Sequence, residues 1–400
     1  MLKRYVNSLL LFICSATILM MCGCKSAVVP KPLVVSVREK VQGKTAASVT
    51  TSSKTAIGTQ LGGSRQGVPL NLGNMVSTFA GKAGLAGMQD GSETEAGFDA
   101  PKGITTDGFH LYLADSNSHT IRKIDIGTGM VTTLAGMAGK KGSIDGKGVL
   151  ARFNRPYGMT TDGSNLYVTD SNNHTIRQID TDTGMVTTIA GAAGKVGYVD
   201  GIGKRARFFI PEGITIAGNY LYVSDTHNHS VRKISLESHA VTTIAGLSGA
   251  PGFFDAIGSK ARFSSPKGIT SDGHYLYVAD FGNSQIRKVS IRSGSVNTLA
   301  GMIKSDENPA GQMEVAHFNY PTGITTDGHN LYVADTFNRS VRKISISTAI
   351  VTAIAGAGEK EVSVDGIGFE AYFKDPVGIT TDGKSLFVTD PSDHIVRKIR

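Results

Sequence analysis

Six prolines, Pro101, Pro156, Pro211, Pro266, Pro321 and Pro376, stand 55 residues apart with no insertion or deletion between them. A constant period of this length marks a repeat architecture, in which each unit buries its apolar face only against its neighbours. It overrides the two or three separate domains that 400 residues would otherwise suggest. It also bears on chemistry: a residue present in every copy is expected to serve the frame, because one active site needs one copy.

Each copy reads as four strands. In the second, Gly158–Gly163 is a short strand ended by Asp-Gly, a hairpin signal. Leu166–Asp170 is rich in β-branched and aromatic residues, and Thr175–Asp180 alternates as a strand with one buried face. Met185–Ala190 follows a turn at Asp182–Gly184, and a Gly-rich connector of about 20 residues leads to the next proline. Four antiparallel strands in each of six units predict an all-β, six-bladed propeller. Residues 75–80 match the fourth strands, yet they precede any first strand, and the chain stops just after a third strand. The N-terminal strand is therefore expected to complete the sixth blade and close the ring, leaving a single monomeric propeller. Strand direction puts the second-to-third turns and the long connectors on one face and the Asp-Gly hairpins on the other.

The run Gly-Ile-Thr-Thr-Asp-Gly, then Leu-Tyr-Val-Ala-Asp, then Ile-Arg-Lys-Ile resembles the NHL repeat, and the Ala-Arg-Phe…Pro-Xaa-Gly connector resembles its bacterial form. The resemblance covers residues 74–400. It implies a binding platform, with a metal-dependent lyase or lactonase-type enzyme in the central channel as the alternative that some relatives represent.

The charge is lopsided. Residues 1–73 hold nine of the 41 Lys and Arg and one acid, Glu39; the remainder holds 32 bases and 32 acids. The repeat region therefore lacks the net positive field that supplies most non-specific affinity for nucleic acid, and no nucleic-acid partner is expected. Cys14, Cys22 and Cys24 all lie near the start, so the repeats have no disulfide framework and no thiolate metal site. Lys3 and Arg4 precede an apolar run, Leu9 to Met21, that is short of the roughly 20 residues a spanning helix needs. It ends in Met21-Cys22-Gly23-Cys24, which resembles a bacterial lipobox although Met21 stands where Leu is usual. The expectation is a lipoprotein-type signal peptide over 1–23, lipidation at Cys24 and a flexible basic tether over 24–73. Lys25 after the cysteine suggests, by resemblance to Gram-negative lipoproteins, an outer-membrane anchor in the cell envelope. A plain secretory signal and an uncleaved anchor are the other readings.

Asp115, Asp170, Asp225, Asp280, Asp335 and Asp390 end the second strands, and Arg122, Arg177, Arg232, Arg287, Arg342 and Arg397 follow seven residues later. These are expected to be structural: the Asp capping the following turn, the Arg pairing with an Asp of its own or the next blade. Phe98, Phe153, Phe208, Phe263, Phe318 and Phe373 are expected to plug the connectors into the core. His119, His174, His229 and His394 suggest a metal ring, but they sit on diverging blades and the set is broken by Ser284 and Arg339, so no metal is expected there. Gly378–Ser385 matches a phosphate loop by letter but lies on a strand and hairpin, without the helix that motif requires. No catalytic residue and no cofactor are expected, and the first strands are expected to line the channel almost uniformly with small Thr and Ile.

Specific function is expected where copies differ. His227, Phe281 and Phe337 replace polar turn residues, and the fifth connector gains Asp306 and Glu307. Together they predict an off-centre patch, with aromatic anchors, that recognises an envelope protein, peptide or glycan.

Overall fold

The computed structural model describes residues 68–301, 317–356 and 362–400. Six antiparallel sheets are arranged as the blades of a propeller. Blade one runs Pro101–Thr106, His110–Asp115, Thr120–Asp125 and Met130–Ala135, from the axis outward. The same order recurs through blade five. Blade six is completed by Met75–Gly81, antiparallel to Ile395–Ile399, so the ring is closed by the two ends of the repeat region.

The connectors add a feature that four-strand counting misses. Gly91–Ser92, Gly146–Lys147, Gly201–Ile202 and Gly366–Ile367 pair with the outermost strands, giving blades one, two, three and six a fifth short strand. These edges are thereby partly covered.

Apolar side chains of neighbouring blades pack together rather than within one sheet. Tyr112 and Ala114 of blade one, for example, share a core with Leu166 and Val168 of blade two, and Phe387 and Val396 of blade six share one with Ile104 and Leu111. The repeated phenylalanines are buried in these cores, as expected.

The repeated Asp and Arg form a buried bracket, with two departures from expectation. The aspartates accept backbone N–H bonds not from the following turn but from the connector 16 residues earlier: Asp170 Oδ1 takes Asn154 N at 2.7 Å and Asp280 Oδ1 takes Ser264 N at 2.7 Å. The turn contributes a side chain instead, Asn173 Nδ2 donating to Asp170 Oδ2 at 2.7 Å. The arginine pairs with the Asp of its own blade in blades one to five, at 2.6–3.1 Å. In blade six, Asp390 instead accepts from Ser363 Oγ at 2.6 Å, and Arg397 meets Asp365 at 2.8 Å. Elsewhere too a connector carboxylate is the second partner: Asp90, Asp145, Asp200 and Asp255 meet Arg122, Arg177, Arg232 and Arg287 at 2.5–2.8 Å. Arg122, Arg177, Arg232, Arg287 and Arg397 thus tie connector to blade, with the guanidinium over the buried Phe ring, 5.0 Å from the Phe153 centroid in blade two. Burial pushes Asp170, Asp225 and Asp280 up to about 6, against the pull of the arginine.

Residues 68–73, the end of the expected tether, lie against the propeller. Leu70 is buried in the core shared by blades five and six, and its N–H donates to Asp327 Oδ2 at 3.0 Å. Cys24 and the rest of the expected signal peptide and tether lie outside the described residues.

Candidate site at the channel mouth

The two residues after each repeat proline lie at the axis. In blades one to five, the four residues from the proline to the fourth position oppose three on the second strand, as in Pro156↔Asp170 and Met159↔Val168. This bulge frees the intervening pair from the ladder. The second of the pair is always glycine: Gly103, Gly158, Gly213, Gly268, Gly323 and Gly378. A Cβ on any of them would enter the backbone carbonyl of the next blade, Gly213 against Lys267 and, across the join, Gly378 against Lys102. Six glycines therefore allow the six blades to meet at the axis.

The first of the pair does not repeat. It is Lys102, Tyr157, Glu212, Lys267, Thr322 and Val377 in turn. With the glycines and an apolar floor of Ile104, Met159, Ile214, Ile269, Ile324 and Ile379, all of these but Lys267 line an axial cavity of about 70 Å³. The expectation of an almost uniform Thr and Ile channel is corrected here: the floor is isoleucine but for Met159, and the mouth varies from blade to blade. The bulge turns a variable position toward the axis that strand alternation would have assigned to the ladder.

Lys267 Nζ meets Glu212 Oε2 at 3.3 Å, with side chains 20% and 12% exposed. It also lies 5.7 Å from the Tyr157 ring centroid and 4.2 Å from that of Phe281. Burial, the largest influence, pushes the Lys102 amine below the ordinary lysine range; Lys267 and Arg155 push the same way, while Asp375 and Glu212 oppose. Burial, together with Glu212 and Asp375, holds the Tyr157 phenol well above its usual value, so it remains a hydrogen-bond donor.

The second-to-third turns share this face with the connectors, as strand direction predicted: Phe337 N donates to Asn319 O at 3.1 Å and Gly282 N to Ser264 O at 2.8 Å. Of the expected patch, Phe281 and Phe337 are brought together through Tyr320, with ring centroids 4.7 and 5.0 Å apart. Phe337 is 62% and Tyr320 40% exposed. His227 belongs to a separate cluster, stacked edge-on to Phe209 at 4.8 Å, with His174 edge-on to the same ring at 6.0 Å. Asp306 and Glu307 lie outside the described residues. Tyr320, Lys102, Tyr157, Glu212 and Lys267 were missed. Aligning the copies on Pro-Xaa-Gly exposes their variability, which was the available signal.

The histidines at the ends of the turns have a local task. Each adopts a left-handed conformation, φ 52–61°, and its Nδ1 accepts a backbone N–H from the next connector: Arg155 N to His119 at 3.2 Å, Ile210 N to His174 at 3.1 Å, Ser265 N to His229 at 3.0 Å and Ala100 N to His394 at 3.2 Å. Burial holds His119, His174 and His229 below the usual histidine value, which suits a neutral ring accepting at Nδ1. Among the described residues no three His, Cys, Asp or Glu side chains are grouped to hold a metal ion. The mouth offers a cation, a phenol, an ion pair and an aromatic strip, which is equipment for binding a polar group with an apolar neighbour.

The LVIVD repeat matches residues 212–230 and 267–285, which run from the mouth position through the turn in blades three and four. NHL repeat-containing protein 2 of Gallus gallus is 28% identical over 72% of this chain and 44% of its own length, and that of Homo sapiens 28% over 70% and 43%. The chain thus spans less than half of these relatives. A structural genomics protein of unknown function from Bacteroides thetaiotaomicron is similar in structure, with TM-score 0.61 and 22% identity over 81% of this chain and 75% of that one. An auxiliary nutrient binding protein from the same organism has TM-score 0.59 and 17% identity over 82% and 76%. At such identities these two likenesses show the fold alone.

Proposed function

We propose, from the premise that the chain is a six-bladed propeller of the NHL-repeat family, that it is a binding scaffold without catalytic chemistry. It is exported, held in the cell envelope by a lipid on Cys24, and engages a protein, peptide or glycan through the face that carries the turns and connectors. The observation that carries the reading is the Phe281–Tyr320–Phe337 strip beside the variable mouth, on a frame that otherwise repeats. Exposed aromatics next to a desolvated ion pair are the usual anchors of recognition surfaces. The structural relative described as a nutrient binding protein is consistent with this use of the fold.

Photo-crosslinking from position 337 in intact cells tests the surface. Partners are expected to be captured by the native chain and lost in the double variant Phe281→Ala, Phe337→Ala. Unchanged capture by the double variant would overturn it. Replacing Cys24 by Ser is expected to release the chain from the membrane fraction.

A further inference from the structure

The geometry points to the channel mouth as a receptor for one carboxylate group with an adjacent hydroxyl or N–H, held by Lys102, Tyr157 and Glu212. The inference rests on the binding-scaffold reading and adds the chemistry of the ligand.

The charges are unevenly matched. Lys267 has Glu212 at 3.3 Å. Lys102, at the same mouth, has no carboxylate within ion-pair distance among the described residues, although it is half-buried and its amine is held below the lysine range by that burial. A desolvated cation without a counter-ion is unfavourable, and a bound anion removes that cost. Five charges act at this point: Lys102, Lys267 and Arg155 against Glu212 and Asp375. The surplus is one positive charge, which suits a monoanion; a phosphate dianion would face Glu212 without a second free cation.

The polar groups add detail. The Tyr157 phenol stays protonated and supplies a donor for a carboxylate oxygen. Glu212 Oε2 is buried and accepts no hydrogen bond, its contact with Lys267 being ionic only. An unsatisfied buried carboxylate oxygen calls for a donor, and a hydroxyl or N–H next to the ligand's carboxylate provides it. The cavity of about 70 Å³ has room for a carboxylate-sized group above its apolar floor. An apolar body attached to the carboxylate finds a partner surface where the Tyr157 and Phe281 rings flank Lys267.

Titration of the full chain with 3-phenyllactate, followed by ligand-observed NMR, tests this. The expected result is binding at least tenfold tighter than that of 3-phenyllactamide, which lacks the charge, and severalfold tighter than that of 3-phenylpropionate, which lacks the hydroxyl. Lys102→Met is expected to weaken binding at least tenfold and Lys102→Arg to retain it, while Lys123→Met, on the third strand of blade one, leaves it unchanged. Thermal unfolding shows whether each variant is folded. Equal affinity for acid and amide, no binding at millimolar acid, or unaltered binding by folded Lys102→Met overturns the inference. Each of these results leaves crosslinking from position 337 unaffected, so the two readings fail separately.

Discussion

Met75 and Arg400 exchange two backbone hydrogen bonds, Met75 N to Arg400 O at 3.0 Å and Arg400 N to Met75 O at 3.1 Å. The first strand of the repeat region and the last residue of the chain thus close a circle that no loop spans. Deleting residues through Gly81 leaves Ile395–Ile399 as a bare edge. The expected outcome is loss of the cooperative unfolding transition and association in size-exclusion chromatography.

Arg177 is bonded to Asp170 at 2.7 Å and Asp145 at 2.7 Å, and it is almost fully buried. Arg177→Met strands the buried Asp170 carboxylate and is expected to cost about 3–5 kcal/mol in urea unfolding. Arg177→Lys recovers only part of this, because a single ammonium does not reproduce the two-armed contact to carboxylates on different segments.

Gly213→Ala places a methyl group against the Lys267 carbonyl at the axis. Overpacking at a site bounded by backbone is expected to destabilise by about 1–3 kcal/mol or more, read by the same unfolding assay.

Leu70→Ala removes a buried side chain from the core of blades five and six. A loss near 2 kcal/mol is expected, the low end for such truncations because the segment lies at the edge of the core. An effect indistinguishable from zero would show that the Leu70 side chain contributes nothing to that core.

Binding of 3-phenyllactate requires the charged form of Lys102. Burial lowers its pKa in the empty site, so affinity falls as pH rises through that lowered value, before an ordinary lysine would titrate. Lys102→Arg removes the fall over the same window, since a guanidinium does not lose its proton there. The measurement is the apparent Kd between pH 7 and 10.5.

Local chemistry in the chain carried the blade. The 55-residue period, the alternation of Thr175–Asp180 and the Asp-Gly turns all act between near neighbours, so they could be read directly. The displaced strand at 75–80 and the missing final strand also fixed how the circle closes. Phe281 and Phe337 stood out because they broke a pattern, but not that Tyr320 would join them or that His227 would stand apart with Phe209.

What the linear order left open depended on distances across the ring. Arg122 reaches Asp90, 32 residues away, only because the connector folds back along the blade. Leu70 finds Asp327 across 257 residues because closure brings the N-terminal segment beside blades five and six. Lys102, Tyr157, Glu212 and Lys267 are each 55 residues from the next, which makes them look like drift at equivalent positions. The propeller turns that spacing into a step from one blade to the next around an axis, and the bulge after the proline in blades one to four sets these side chains at the mouth. Strand propensity and turn chemistry act over a few residues and so determined the units; the meeting of six units at a point is a property of the closed ring, and only there did four scattered residues become one site.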